Sequence, residues 1–142
     1  MNKMHYVLGF CFDDDLAQVV LIAKLRPAWQ AGKLNGLGGK VLPQESGAVA
    51  MAREFGEECG VGTSPLDWTH FCKMSGVDFE VHCFAMASSK VVEAVHSVTD
   101  ETIQVRPVTT LHTLRLADGL PWLVPMAVHS LTTEMSAEVK YA

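Results

Sequence analysis

Residues 39–61 read GKVLPQESGAVAMAREFGEECGV, an acidic run set between Gly39 and Gly60. On a helix turning about 100° per residue, Glu54, Glu57 and Glu58 stand at i, i+3 and i+4 and share one face. Exposed like charges at that spacing repel by roughly a few tenths of a kcal/mol per pair. Three carboxylates together therefore make physical sense around a divalent cation, and oxygen-only ligands select a hard one, Mg²⁺ or Mn²⁺. Ala48, Met51, Ala52, Phe55 and Cys59 form an apolar stripe at helical spacing, suited to packing on a sheet. Ser46 is the expected N-cap and Gly60 the expected left-handed C-terminal cap. Gly47 falls on the acidic side, where a small residue leaves room for a ligand. Gly56 lies inside the helix and costs about 1 kcal/mol relative to alanine, with no compensating role in the sequence. For the glutamates taken alone, the alternative is a solvated helix face.

The remaining composition fits a small globular domain. The 142 residues match one domain by length and are enough to bury a core. With 49% hydrophobic and 19% charged residues, disorder is excluded. No apolar run reaches the roughly 18–20 residues of a membrane span. The run Tyr6–Phe12 stops at Asp13-Asp14-Asp15 and reads as a strand, not a signal peptide, so a cytoplasmic setting and no membrane partner are expected. A formal net charge of −5 argues against broad binding to nucleic acid polymers but not against a nucleotide whose phosphates meet a metal. Cys11, Cys59, Cys72 and Cys83 form no CxxC pair and are expected as buried reduced thiols. The six histidines show no zinc-type spacing. Oligomeric state is not legible, and a homodimer is compatible with the sequence.

Residues 4–12 are expected as a first strand, 13–15 as a turn and 18–25 as a buried strand with VVLIAKL at its centre. Residues 26–38, with Pro and several Gly, read as a long loop. Residues 68–73 and 78–87 read as a hairpin across Ser75-Gly76, and 98–106 hold another strand. Residues 121–134 read as a second helix with Asp118 as its cap. Strands interleaved with two helices predict a mixed sheet between helices.

Gly39, five residues, Glu45, seven residues, then Arg53-Glu54-Phe55-x-Glu57-Glu58-x-Gly60-Val61 resembles the complete Nudix box. That box is the signature of hydrolases acting on a nucleoside diphosphate linked to another group. Phe55 stands where an aliphatic residue is usual. The resemblance implies one Nudix domain over 1–142, an α/β/α sandwich. It implies that Glu54, Glu57 and Glu58 bind Mg²⁺, that Arg53 orients Glu54, and that Gly38 offers a carbonyl to the metal. The residue matching Glu54 is cast as general base in some members, and a glutamate outside the box in others. Glu101 is the first candidate for that outside acid and metal ligand, with Glu80 as its competitor. Glu45 either joins the site or pins the loop to Arg53. Lys40 either meets a phosphate as a point charge or is a solvated loop lysine.

Residues 35–40, Asn-Gly-Leu-Gly-Gly-Lys, are similar to the loop of nucleoside triphosphatases for oxidised purines, in which the matching Asn bonds the base. The Asn35 amide donates and accepts, as reading a purine edge requires, and the alternative is an Asn-Gly turn. Residues 118–122 are loosely similar to a segment that walls the base there, though Trp122 equally suits the core. The expected activity is Mg²⁺-dependent conversion of an NTP or dNTP, oxidised purines included, to NMP and pyrophosphate. The alternatives are a dinucleotide or nucleotide-sugar pyrophosphatase and a catalytically silent domain that binds a nucleotide metabolite. The partner in each case is a small-molecule nucleotide.

Overall fold

Two apolar runs, Met4–Phe12 (β1) and Gln18–Ala23 (β2), make the centre of a sheet buried on both faces. Alternate side chains go to opposite sides. Phe10, Phe12, Val19 and Leu21 enter one core, while Val7, Cys11, Val20 and Ile22 enter the other. A strand with no solvent face shows no polar alternation, which is why both read as near-continuous hydrophobic runs. The coordinates are a computed structural model, and they describe residues 2–142.

Among the described residues there are eight strands and three α-helices. Leu34–Asn35 (β3), Leu37–Lys40 (β4) and the helix Gly47–Cys59 (α1) follow β2. Thr69–Ser75 (β5) and Phe79–Ala87 (β6) form the expected antiparallel hairpin, with Gly76 N–H donating to the Phe79 carbonyl at 3.0 Å. Ser89–Ala94 (α2), Ile103–Pro107 (β7), Leu120–Ser130 (α3) and Ala137–Lys140 (β8) complete the chain. β6 runs parallel to β1 from Met4↔Phe79 to Phe12↔Ala87. The other edge of β1 splits. Its first half pairs with β4, and its end pairs with β2. β3 and β7 are antiparallel to β2, and β8 is parallel to β5.

Helix α1 packs Ala50, Met51, Phe55 and Cys59 on one face, and α3 packs Leu120, Leu123, Val124 and Ala127 on the other. The architecture is the expected α/β/α sandwich with a mixed sheet. Phe55 is fully buried and meets Trp68 edge-on at 5.1 Å, so the aromatic ring is accommodated by a large partner. The Ser46 hydroxyl caps α1 by accepting from Val49 N–H at 3.2 Å. Gly60, at φ 77°, closes it by donating to the Gly56 carbonyl at 2.9 Å. All four cysteines are buried and free. No helix among the described residues is long and apolar enough to cross a membrane.

Several expectations change. Residues 26–38 are not wholly loop, because they contain β3 and the start of β4. β3 is only two residues long, too short to show alternation, and β4 is half glycine, which carries no β-forming side chain. α3 begins after Gly119 at φ 89° with no side-chain cap, so Asp118 is not the cap, and the helix ends at Ser130. α2 and β8 were not expected. They are six and four residues long, too short to show a period. Gly47 lines a groove with Lys40, Glu45 and His82, and a Cβ there would stand 3.1 Å from the Phe84 ring.

Gly56 has an ordinary helical position, and a Cβ there would meet only the Val61 carbonyl oxygen at 3.5 Å. Gly56→Ala is therefore expected to stabilise the protein by about 0.5–1 kcal/mol. The check is the urea midpoint at unchanged slope; a lower midpoint counts against it.

Candidate active site

The acidic side of α1 lies directly against the backbone of β4. A Cβ on Gly39 would fall 2.5 Å from the Glu54 carboxylate carbon, and one on Gly38 would fall 1.9 Å from the Val7 carbonyl oxygen. Only glycine permits either approach. Gly38 N–H donates to Glu58 Oε1 at 2.8 Å. Two of the three glutamates thus touch a strand whose peptide groups, not side chains, line the site.

Arg53 fixes the rest. Its Nε and Nη2 donate to the two oxygens of Glu45 at 2.7 and 2.9 Å, a bidentate pair. Nη2 also donates to the Lys40 carbonyl at 2.9 Å. Nη1 donates to Glu54 Oε1 at 3.0 Å and to Glu57 Oε2 at 3.2 Å. Glu45 also accepts from Leu42 N–H at 2.8 Å. Glu45 therefore pins the loop, and Arg53 joins loop, strand and two of the helix glutamates. The Arg53 charge holds the Glu45 carboxyl below its usual range, and the surrounding carboxylates push the guanidinium higher still.

Burial works the other way on the helix. It raises Glu54, against the opposing pull of Arg53. It raises Glu58 to about 7, against the Gly38 amide and Lys24 and with help from Glu54 and Glu101. Glu54 and Glu58 each keep one oxygen without a hydrogen bond among the described residues.

Glu101 is buried and heavily bonded. Lys24 Nζ donates to it at 3.0 Å, Leu25 N–H at 2.7 Å and Arg26 N–H at 3.3 Å. Burial alone would raise its pKa, but these donors together hold it below the usual value. Lys24 is the residue that sequence reading missed. It ends the apolar run of β2, pairs with Glu101 and acts electrostatically on Glu58. A lone lysine closing a buried strand was the available signal. Glu80 lies elsewhere, 3.3 Å from His82 Nε2 and opposite His5 in the sheet.

Asn35 sits on β3, where its amide donates to Gln30 Oε1 at 3.0 Å and its oxygen accepts from Gly36 N–H at 2.8 Å. Both of its functions already have partners within the chain. Lys40 is exposed, and its ammonium has no ion pair among the described residues. Trp122 is partly exposed and packs beside Gly119. Trp29, beside Gln30, is 68% exposed.

The residues at the box fit a hard divalent cation. Glu54, Glu57, Glu58 and the Gly38 carbonyl are an all-oxygen donor set, and the cleft at Gly39 is one that a single Cβ would fill. Burial that raises Glu54 and Glu58 is the cost a cation would offset. Arg53 Nη1 meanwhile donates to both Glu57 oxygens, at 3.3 and 3.2 Å.

Because Glu58 titrates higher in the folded state than in the unfolded chain, the folded state keeps a proton that the unfolded state has lost. Its contribution to stability is therefore fully present below about pH 4.5 and falls as pH rises toward 7. Without metal, wild type should lose stability relative to Glu58→Gln over that window. Mg²⁺ should narrow the gap at neutral pH. Melting temperatures of both proteins at pH 4.5 and 7.5 provide the check, and a gap independent of pH counts against the assignment.

No family model matches the chain, and no curated protein matches it. Solved structures do. A MutT from work on Aliivibrio salmonicida and Vibrio cholerae aligns with TM-score 0.71 at 19% identity, covering 90% of this chain and 98% of that one. The Nudix domain of NrtR from Shewanella oneidensis, complexed with ADP-ribose, aligns with TM-score 0.76 at 16% identity, covering 92% and 90%. An ADP-ribose pyrophosphatase from Streptococcus suis aligns with TM-score 0.71 at 10% identity, covering 99% and 100%. The alignments span 90% or more of this chain, and the fold of this chain is that of the Nudix hydrolases.

Proposed function

We propose that the protein is a Mg²⁺-dependent hydrolase of a nucleoside diphosphate linked to another group. The first substrate class is an NTP or dNTP, oxidised purines included, cleaved to NMP and pyrophosphate. The observation that carries this reading is the Arg53 cluster: Glu54 and Glu58 pressed against the glycine backbone of β4, with Glu57 beside them. A silent ligand-binding domain would not need every one of these carboxylates.

Glu54, Glu57, Glu58 and the Gly38 carbonyl would hold the metal, with Glu101 as a further acid near Glu58. Bound there, a divalent cation neutralises pyrophosphate oxygens and lowers the pKa of a water. Arg53 positions Glu54 through one oxygen and leaves the other free to accept a proton from water. Glu54 is thus the first candidate for the general base. Lys24 keeps Glu101 ionised and so keeps it available as a ligand. Lys40, exposed at the end of β4, meets a substrate phosphate as a point charge.

Purine selection falls to Asn35, which would exchange its Gln30 contact for a base edge, with Trp29, next to Gln30 in the chain, an exposed ring available to the base. A second reading is an ADP-ribose or related dinucleotide pyrophosphatase. It is favoured by two structural neighbours, one bound to ADP-ribose and one named for cleaving it.

The deciding experiment follows phosphate, pyrophosphate and NMP release across NTPs, dNTPs, dinucleotides and ADP-ribose, with Mg²⁺ and with chelator. Pyrophosphate from triphosphates is expected, and turnover in chelator would overturn the proposal. Glu57→Gln should lower kcat by about a hundredfold or more with the fold intact, since metal ligation supplies several kcal/mol.

Asn35→Gly tests the base contact, because it removes the amide and glycine still accepts the strand backbone of β3. The preference for purine over pyrimidine triphosphates should fall by roughly tenfold to a hundredfold in kcat/KM. An unchanged ranking would move specificity to Trp29 or to residues 118–122.

A further inference from the structure

A second cluster of metal-binding groups lies away from the box glutamates. His5 on β1 stands opposite Glu80 on β6, and His82 is two residues further along β6 on the same face. One donor atom from each of His5, Glu80 and His82 lies within 4.8 Å of the others. The rings of His5 and His82 are stacked, 6.2 Å apart and tilted by 14°. Among the described residues no other three histidine, cysteine or acidic side chains converge so closely. The sequence hid the site, since residues 5, 80 and 82 make no motif until parallel pairing sets them side by side.

We propose that His5, Glu80 and His82 form a three-ligand site for a borderline divalent transition ion such as Zn²⁺, with a water in the fourth position. Two imidazoles and one carboxylate suit such an ion, whereas Mg²⁺ prefers oxygen alone. His82 Nε2 and Glu80 Oε1 are 3.3 Å apart. Tetrahedral bonds of about 2.0–2.1 Å set neighbouring donors roughly 3.3 Å apart, so this pair is already at ligand spacing.

His82 Nδ1 lies 3.2 Å from His70 Nε2 on β5. With Nε2 on the ion, Nδ1 carries the proton and donates it to His70, the outer partner that a ligating histidine usually has. His70 is therefore a positioning residue. Lys73, the neighbouring cation on β5, is paired with Glu138 at 3.6 Å.

The fourth position opens to solvent. His5 and His82 line a groove of about 610 Å³ together with Lys40, Leu42 and Glu45, which leaves ample space for a water or a small anion. The groove also joins this cluster to the loop that Arg53 ties down. The His5 carbonyl accepts from Val41 N–H at 2.9 Å, next to the Lys40 carbonyl held by Arg53. An ion on His5 would brace the start of that loop from the opposite side.

Cobalt(II) reports the site, because four-coordinate Co²⁺ absorbs strongly in the visible and six-coordinate Co²⁺ on oxygen ligands only weakly. Chelator-stripped protein is saturated with Mg²⁺ and titrated with Co²⁺. One equivalent per chain, with strong visible bands, is expected. His5→Ala, an exposed strand position, and His82→Ala should each remove the bands, while Glu57→Gln should keep them. His70→Ala should weaken Co²⁺ binding by about tenfold without abolishing it. Zn²⁺ should displace the Co²⁺ signal. Weak bands alone in wild type, or strong bands that survive His5→Ala and disappear in Glu57→Gln, would overturn the proposal.

Discussion

The guanidinium of Arg53 is where the loop before α1, the strand β4 and the acidic helix become one object. Six acceptors on four residues face it: both oxygens of Glu45, the Lys40 carbonyl, one oxygen of Glu54 and both of Glu57. Arginine suits this because its planar fork reaches several oxygens at once and stays charged throughout the accessible pH range. Each charge-assisted bond contributes roughly 1.5–3 kcal/mol when it is not fully solvated. Without the cation, Glu45, Glu54 and Glu57 would face one another across a partly buried gap. The loop would lose its anchor at Lys40 along with its counter-charge.

That arrangement depends on what lies beneath it. β4 can approach α1 only because residues 38 and 39 have no side chains, and it can follow β1 only because Gly38 clears the Val7 carbonyl. β1 in turn is held by burial on both faces, Phe10 and Phe12 on one side, Val7 and Cys11 on the other. The position of a glutamate carboxylate is thus set by packing several residues away. The hydrophobic effect builds the platform, and backbone close approach places the polar groups on it.

The site's electrostatics are unbalanced in a way that points to a cation. The outer acids, Glu45 and Glu101, are fully served by Arg53, Lys24 and backbone donors, and their carboxyls sit low. The inner acids, Glu54 and Glu58, are pushed up first by burial and then by neighbouring carboxylates, Glu57 and Glu45 for Glu54, and Glu54 and Glu101 for Glu58. Folding therefore pays to hold two carboxylates where neither is well compensated. Functional sites commonly carry this kind of local cost, and a hard divalent cation is a partner that would remove it.

Much of this was legible in residues 39–61. The helix, its Ser46 and Gly60 caps, the shared face of Glu54, Glu57 and Glu58, and the two buried central strands follow from spacing and side-chain type, which are local properties. What was not legible depended on contact between distant segments. β3 was hidden by its two-residue length and β4 by Gly38 and Gly39, and Gly47 proved to face Phe84 because helix rotation is set by the sheet beneath it. Lys24 gained its role only when β2 came beside the Glu101 segment, 77 residues away in sequence. The same holds for His5, Glu80 and His82, which converge through a parallel pairing that no local pattern encodes. The sequence by itself determined the chemistry of the acidic helix, because i, i+3, i+4 spacing needs only a helix to act. Tertiary structure alone decided which carboxylates are buried, which are paired and which remain free, because burial and charge pairing arise only when separate segments share one space.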